Sequence, residues 1–377
     1  MNYKDVVDMK TVYIKIKPSD TLFFRDGFTF KIGLNNYLQS LDVPYPSVFY
    51  GAIFSAILRQ GGFTYIKNKI NGIKEIENVK AKKVESDKLN SCLKETFKID
   101  DIYLYDEIEN EIFIHSPLDI FYNDYMKKIG EYDIENHTFN SPEDEIDKFK
   151  RADDSFIKVH DLIKYYAENN MKDIELYPKK YFFNKYIKTG ITIDQDSKTA
   201  KDKHMYRIDM TEFCDKKFSY LLKCEIDSKK IDLKNDIVRL GGESKLAAFT
   251  HTFKNLDVIN EIKNFYENTT IKENKLKVIL TSPMIIDDKK YNDLKNDQIR
   301  IAVTGKPNYV GGFDMAARHK KEMRKAIPSG SVLIVEDDNF IGKKIEKIKI
   351  EFLESLQERF RGFGSTIIVP FRRGREK

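Results

Sequence analysis

The chain is poor in the residues that build metal centres and covalent cross-links. Its 377 residues include three cysteines, Cys92, Cys214 and Cys224, and six scattered histidines. That set gives neither a pair of metal-ligand pairs nor an even disulfide framework, so a reducing, cytoplasmic setting without a structural metal is expected. No run approaches the roughly 20 apolar residues that span a bilayer. The start, MNYKDVVDMK, has no apolar leader core, so a protein that is neither membrane-bound nor exported is expected. No Walker, Ser-His-Asp or metal-ligand spacing occurs. Catalytic residues, metal and cofactor are therefore all expected to be absent.

What is present is ample core material: 41% apolar residues and 12% aromatics, with 21 Tyr and 26 Phe. A chain of this length exceeds what one core usually covers, so two domains are expected. The net charge of +5 says little by itself, but its distribution says more. From Gly305 to Lys325 the net is +4, from Arg359 to Lys377 it is +5, and Glu131 to Asp154 holds nine acids against three bases. The C-terminal third is the electropositive candidate face, and the middle is not.

TVYIKIK (Thr11 to Lys17) alternates and reads as a strand stopped by Pro18. After the loop FFRDGFTF comes PYPSVFYGAIFSAILRQGG, a helix begun at Pro46 or Ser47 and stopped by Gly61 and Gly62. Phe63 to Pro178 is irregular and charged, and reads as helical insertions around one strand, IFIHSPLDIFY (Ile112 to Tyr122). TGITID and FSYLLKCEI are further strands, and Asn235 to Phe253 reads as a short helix, a glycine loop and a strand. The scheme restarts at KLKVILTSPMII (Lys275 to Ile286), continues through RIAVTGKPNYVGGFD and PSGSVLIVE, passes a helix with one face at Ile345, Ile348, Phe352, Leu356 and Phe360, and ends in the strand GSTIIVPF. The endings IVRLGGESKLAAF and ERFRGFGSTIIVPF align as an internal repeat, so two copies of a βαββαβ unit are expected.

Six pieces in order, PSDTLFFRDGFTF, PYPSVFYGAI, TGITIDQDSKTAKDKHMYR, VRLGGESKLAAF, VTGKPNYVGGFDMAARHKKEMRKAIPSGSVLIVE and RGFGSTIIV, resemble the RAMP superfamily of CRISPR proteins. Within it they look like the third-subunit family of the type III-B Cmr complex, in the Cas5-like group. The resemblance implies an α+β fold of two tandem ferredoxin-like (RRM-like) domains ending in glycine-rich loops. These would be residues 1–255, with a large helical insertion at about 63–178, and residues 271–377. It implies a non-catalytic subunit that holds the five-prime, repeat-derived handle of the crRNA. Its partners would be the large Cas10-type subunit, the backbone RAMP subunit and, in the assembled complex, target RNA. Two alternatives stay open: a metal-independent RAMP endoribonuclease that processes crRNA, and the equivalent subunit of a type III-A complex.

Glycine pairs between elements let backbone N–H groups approach phosphates, so Gly241, Gly242, Gly362 and Gly364 are candidate RNA contacts, with Arg239 and Arg361 before them. Phe363 is a candidate base-stacking ring. Arg318, His319, Lys320, Lys321, Arg324 and Lys325, with Lys306, form a basic loop suited to RNA backbone. Arg25, in the loop before the first helix, and Ser47, at its N-terminus, complete the set. Each has a bland counterpart: glycines cap helices, charge runs are solvated, and Arg25-Asp26-Gly27 is a turn with an internal ion pair. Asp26 is weighed as a catalytic carboxylate and set below the turn, and His115 reads as a core histidine.

Overall fold

The computed structural model describes residues 8–25, 37–61, 64–142, 148–168, 174–194, 196–254, 256–286, 298–314, 319–350, 353, 356 and 358–371. Asp26, Arg318 and the tail with Arg372 and Arg373 lie outside these residues, as does the side chain of His319. The protein is α+β and rich in strands.

The N-terminal elements are β1 (Met9–Pro18), α1 (Pro46–Arg59), α2 (Thr64–Glu75), α3 (Val79–Lys94), β2 (Phe97–Asp106), β3 (Glu111–His115), β4 (Ser155–Lys158), α4 (Val159–Glu168), β5 (Tyr177–Pro178), β6 (Phe183–Ile193), β7 (Ala200–Phe213), β8 (Phe218–Asp227), β9 (Asp236–Arg239) and β10 (Leu246–Thr252). Eight of these strands form one antiparallel sheet in the order β5-β4-β3-β2-β8-β1-β10-β9. In β1 the alternation predicted from sequence holds. Val12, Ile14 and Ile16 face a core with Phe49, Ile53, Ala56 and Ile57 of α1, while Tyr13 faces the opposite side. Strands β6 and β7 form a long separate ribbon.

The C-terminal elements are α5 (Asp257–Asn268), β11 (Lys275–Leu280), β12 (Met284–Ile285), β13 (Ile299–Val303), β14 (Asn308–Val310), β15 (Arg324–Ile327), β16 (Val332–Glu336) and β17 (Thr366–Pro370). A four-stranded antiparallel sheet has the order β13-β16-β11-β17, and a small sheet has the order β12-β15-β14. Ile279, Ile301, Val332, Ile334 and Val369 share one core with Tyr13, Tyr103, Ile112 and Leu221 of the large sheet and with residues of α4 and α5. The two sheets therefore pack on each other. A buried ion pair crosses this joint, Lys277 Nζ to Asp119 Oδ2 at 2.5 Å, with the Tyr132 hydroxyl donating to the same carboxylate at 2.8 Å.

Three expectations need correction. Asn235 to Phe253 is the hairpin β9–β10 and contains no helix: Val238 and Ala247 point into the core while Ile237 and Leu246 point out, a period of two. The stretch 63–178 holds helices α2 and α3, yet it also supplies β2, β3, β4 and β5 to the large sheet. β2 escaped the sequence reading because Asp100 is an extra, bulged residue. Asp101 pairs with Lys223 and Ile99 with Cys224, which breaks the alternation between Ile99 and Ile102. Finally, the expected C-terminal helix is replaced at its start by a single 3-10 turn at Ile345–Lys347, Ile348 to Ile350 follow without helical structure and Glu358 to Phe360 form a turn, while residues 351, 352, 354, 355 and 357 lie outside the described residues.

Candidate nucleic-acid interface

Of the predicted basic residues, Arg324 and Lys325 lie on β15 of the small sheet; Lys306 precedes β14, and Lys320 pairs with Phe313 in a separate two-stranded ladder farther along the same hairpin. Register places Val310 opposite Arg324 and Tyr309 opposite Lys325. Val310 and Ala326 are buried, so Arg324 points inward with Val310, while Lys325 and Tyr309 lie on the other, open face. Lys306, Lys320 and Lys325 are exposed, and Lys321 and Tyr309 are half-buried. A tyrosine opposite a lysine across two paired strands is a candidate arrangement for a ring contact with a base next to a phosphate contact. Tyr309 was not among the residues singled out from sequence. The signal was the alternation Asn308-Tyr309-Val310 across from Lys325, visible only once the pairing is known.

Beneath this sheet lies the C-terminal glycine loop, and it differs from the expectation. Phe363 is 2% exposed and forms a small core with Val310 and Ala326, flanked by Tyr45 and Ile285. A ring so enclosed has no free face for a base, so the stacking role is corrected to a packing role. Gly362 (φ +91°) and Gly364 (φ +70°) adopt the left-handed conformation that favours glycine. A Cβ at Gly362 would sit 2.9 Å from Ile99 Cγ2, and one at Gly364 would sit 2.6 Å from Leu356 Cδ1. Here the glycines permit close packing against protein.

The backbone of this loop is equally engaged. The Gly362 carbonyl accepts from Ser282 Oγ at 2.6 Å and from Ser365 Oγ at 3.1 Å. Ile99 N–H donates to the Phe360 carbonyl at 2.9 Å, and Arg359 Nη1 donates to the Gly364 carbonyl at 2.6 Å. Arg361, 7% exposed, lies over the rings of Tyr50 (5.5 Å) and Phe360 (5.1 Å) and pairs with Glu358 at 2.9 Å. Its surroundings are those of a structural cation.

The other candidates group elsewhere. Gly241 (φ +77°) and Gly242 pack on Phe23: Gly242 N–H donates to the Phe23 carbonyl at 2.8 Å, and a Cβ at Gly241 would lie 2.5 Å from that oxygen. Arg239 is exposed on the edge strand β9, and Arg25 is exposed beside Ser40. Ser47 is half-buried in the first turn of α1, which starts at Pro46 after Tyr45. Tyr45 ties that helix start to the small sheet through a hydroxyl contact to the Tyr309 carbonyl at 3.5 Å. The sequence set thus divides in two. Arg324, Lys325 and Arg361 to Gly364 lie on or under the small sheet, with Lys306, Lys320 and Lys321 on the chain flanking its strands and Ser47 two residues beyond Tyr45, which contacts it. Arg25, Arg239, Gly241 and Gly242 sit toward the base of the ribbon, where Lys188 pairs with Glu243 at 3.1 Å.

His115 is half-buried against Phe156, ring centroids 4.4 Å apart, and desolvation there pushes its pKa down to about 4. It is neutral near pH 7. Among the described residues no group of three His, Cys, Asp or Glu is arranged to hold a metal ion, and no helix is long and apolar enough to cross a membrane.

An α+β chain with an open basic sheet face is a candidate nucleic-acid binder, and comparison with known proteins gives the family. The model of the family described as CRISPR-associated protein (Cas_Cmr3) matches residues 14–371, and the chain belongs to that family. The CRISPR system CMR subunit Cmr3 of Saccharolobus solfataricus is 28% identical over 189 residues, which cover 49% of this chain and 56% of that relative. The match therefore spans little more than half of the relative's length. Chains in two cryo-EM structures of the Type III-B Cmr-beta, one bound to cognate target RNA and AMPPnP and one bound to cognate target RNA, are similar at 18% identity. They cover 93% of this chain, with TM-scores of 0.49 and 0.48.

Proposed function

We propose that this chain is a non-catalytic subunit of a type III-B CRISPR effector complex, working in the cytoplasm to hold the five-prime handle of the crRNA. Its two strand orders, β2-β8-β1-β10 and β13-β16-β11-β17, each run second-third-first-fourth along the chain, which supports two tandem ferredoxin-like units. The observation that carries the RNA reading is the open face of the small sheet, where Lys325 and Tyr309 lie side by side with Lys306, Lys320 and Lys321 nearby. Lysines on such a face neutralise phosphates without reading sequence. The large Cas10-type subunit, the backbone RAMP subunit and target RNA are its partners in the assembled complex.

A non-catalytic role is supported by where the carboxylate and imidazole groups near the joint are spent. Glu358 is held by two arginines, and His115 is half-buried against Phe156 with its pKa pushed down to about 4, which leaves it neutral near pH 7. Cleavage of RNA needs a general base or acid in contact with the 2′-hydroxyl or the leaving oxygen. The test is to incubate the pure chain with repeat RNA in EDTA while measuring binding. Binding with intact RNA is expected. Specific cleavage would establish an endoribonuclease instead.

A further inference from the structure

Glu358 sits where a carboxylate needs explaining. It lies beneath a face rich in lysine, and a negative charge there weakens the local attraction for phosphate. Its neighbours give a reason. Glu358 forms an ion pair with Arg324 Nη2 at 3.0 Å and accepts a hydrogen bond from Arg361 Nη1 at 2.9 Å, with its own side chain 17% exposed. Arg324 belongs to β15 and points inward with Val310. Arg361 stacks on Tyr50 of α1, and the residue next to it, Phe360, receives the Ile99 N–H of β2. The chain of contacts thus runs from the basic sheet through one carboxylate to the helix and central sheet.

We infer that Glu358 is a positioning residue for the RNA-binding sheet, fixing β14 and β15 on α1 and β2 by clamping Arg324 and Arg361 together. This rests on the proposed function. The clamp acts beside the apolar anchor Phe363, which fills the space under Val310 and Ala326. Packing holds the sheet down, whereas the shared carboxylate draws Arg324 of the sheet toward Arg361 of the loop, where the hydrogen bond from Arg361 fixes the carboxylate's place. Losing the carboxylate leaves a nearly buried guanidinium at Arg361 without this counter-charge, so the loop and the sheet above it shift together.

The experiment compares Glu358→Gln, Glu358→Asp, Arg324→Ala and the double variant Arg324→Ala/Glu358→Gln in the full chain. Affinity is read with a labelled single-stranded RNA carrying the host CRISPR repeat, and hydrogen exchange is read at Asn308–Val310 and Arg324–Ile327. Glu358→Gln is expected to weaken RNA binding about tenfold and to speed exchange in both strands. Glu358→Asp recovers part of both effects, and in the Arg324→Ala background the Gln substitution adds little. Simple electrostatics predicts the opposite sign, because removing a negative charge tightens binding. Unchanged or tighter binding by Glu358→Gln, with exchange in β14 and β15 unaltered, would overturn the inference. A Lys320→Ala/Lys321→Ala/Lys325→Ala variant separates the two claims: if it binds RNA normally, the RNA reading fails, and exchange alone then decides whether Glu358 positions the sheet. If Glu358→Gln does not fold, Arg324→Ala decides. It breaks the same clamp from the half-exposed side and must speed exchange in β14 if the inference holds.

Discussion

Replacing Phe363 with alanine distinguishes a packing ring from a stacking ring. The side chain is 2% exposed and its neighbours Val310 and Ala326 are equally buried, so truncation leaves a cavity under the small sheet. Phe→Ala in a core typically costs 3–5 kcal/mol, the spread reflecting how far the site collapses. This cluster is small and two of its members, Tyr45 and Ile285, are only partly buried, so it relaxes more than a central core. The lower end, about 3 kcal/mol, is expected. Urea unfolding followed by far-UV circular dichroism measures the loss, with hydrogen exchange at Val310 and Ala326 as the local reporter. Phe363→Leu keeps most of the volume and is expected to cost less than about 1.5 kcal/mol. The reasoning is refuted if Phe363→Ala leaves stability within about 0.5 kcal/mol of the parent while handle affinity falls by about 1–3 kcal/mol.

Three further predictions follow from the joint between the sheets. Gly362→Ala combines left-handed strain with a contact of 2.9 Å to Ile99, so thermal unfolding should show a loss of about 2–4 kcal/mol; a loss within error would mean that the loop is not docked on β2. Lys277→Ala strands the buried Asp119 carboxylate and is expected to cost about 3–5 kcal/mol, more than the double replacement Lys277→Met/Asp119→Leu. Burial, with Asp101 and Glu225 nearby, pushes the Asp100 pKa up to about 7. The folded state therefore keeps a proton that the unfolded state releases near pH 4, and this stability is full below pH 4 and declines as pH rises through 7. Asp100→Asn removes that decline and is expected to exceed the parent above pH 7 by up to about 4 kcal/mol; parallel stability–pH curves would contradict it.

Alternation made β1 legible, short apolar, β-branched runs bounded by turn residues or charges did so for β8, β11, β16 and β17, and the spacing of Phe49, Ala52, Ile53, Ala56 and Ile57 revealed α1. Where the period broke, reading failed: the bulge at Asp100 hid β2, and β9 is only four residues long. The basic face was legible as charge, because lysines on a short sheet keep their exposure whatever the pairing. The glycine loop was misread for a different reason. The residues Arg361-Gly362-Phe363-Gly364 suit a phosphate loop or a tight packing joint equally well, and only the neighbours Ile99, Tyr50 and Val310, distant in sequence, decide between them.

The central claim is that the small sheet grips the backbone of the crRNA handle, and the salt dependence of binding tests it most directly. Affinity for the labelled repeat RNA is measured over a range of salt for the parent and for Lys320→Ala/Lys321→Ala/Lys325→Ala. Each lost phosphate contact lowers the log–log slope by about 0.7 for a single strand, so three lost contacts are expected to flatten it by about 2. An unchanged slope with unchanged affinity would show that the RNA lies elsewhere on the chain.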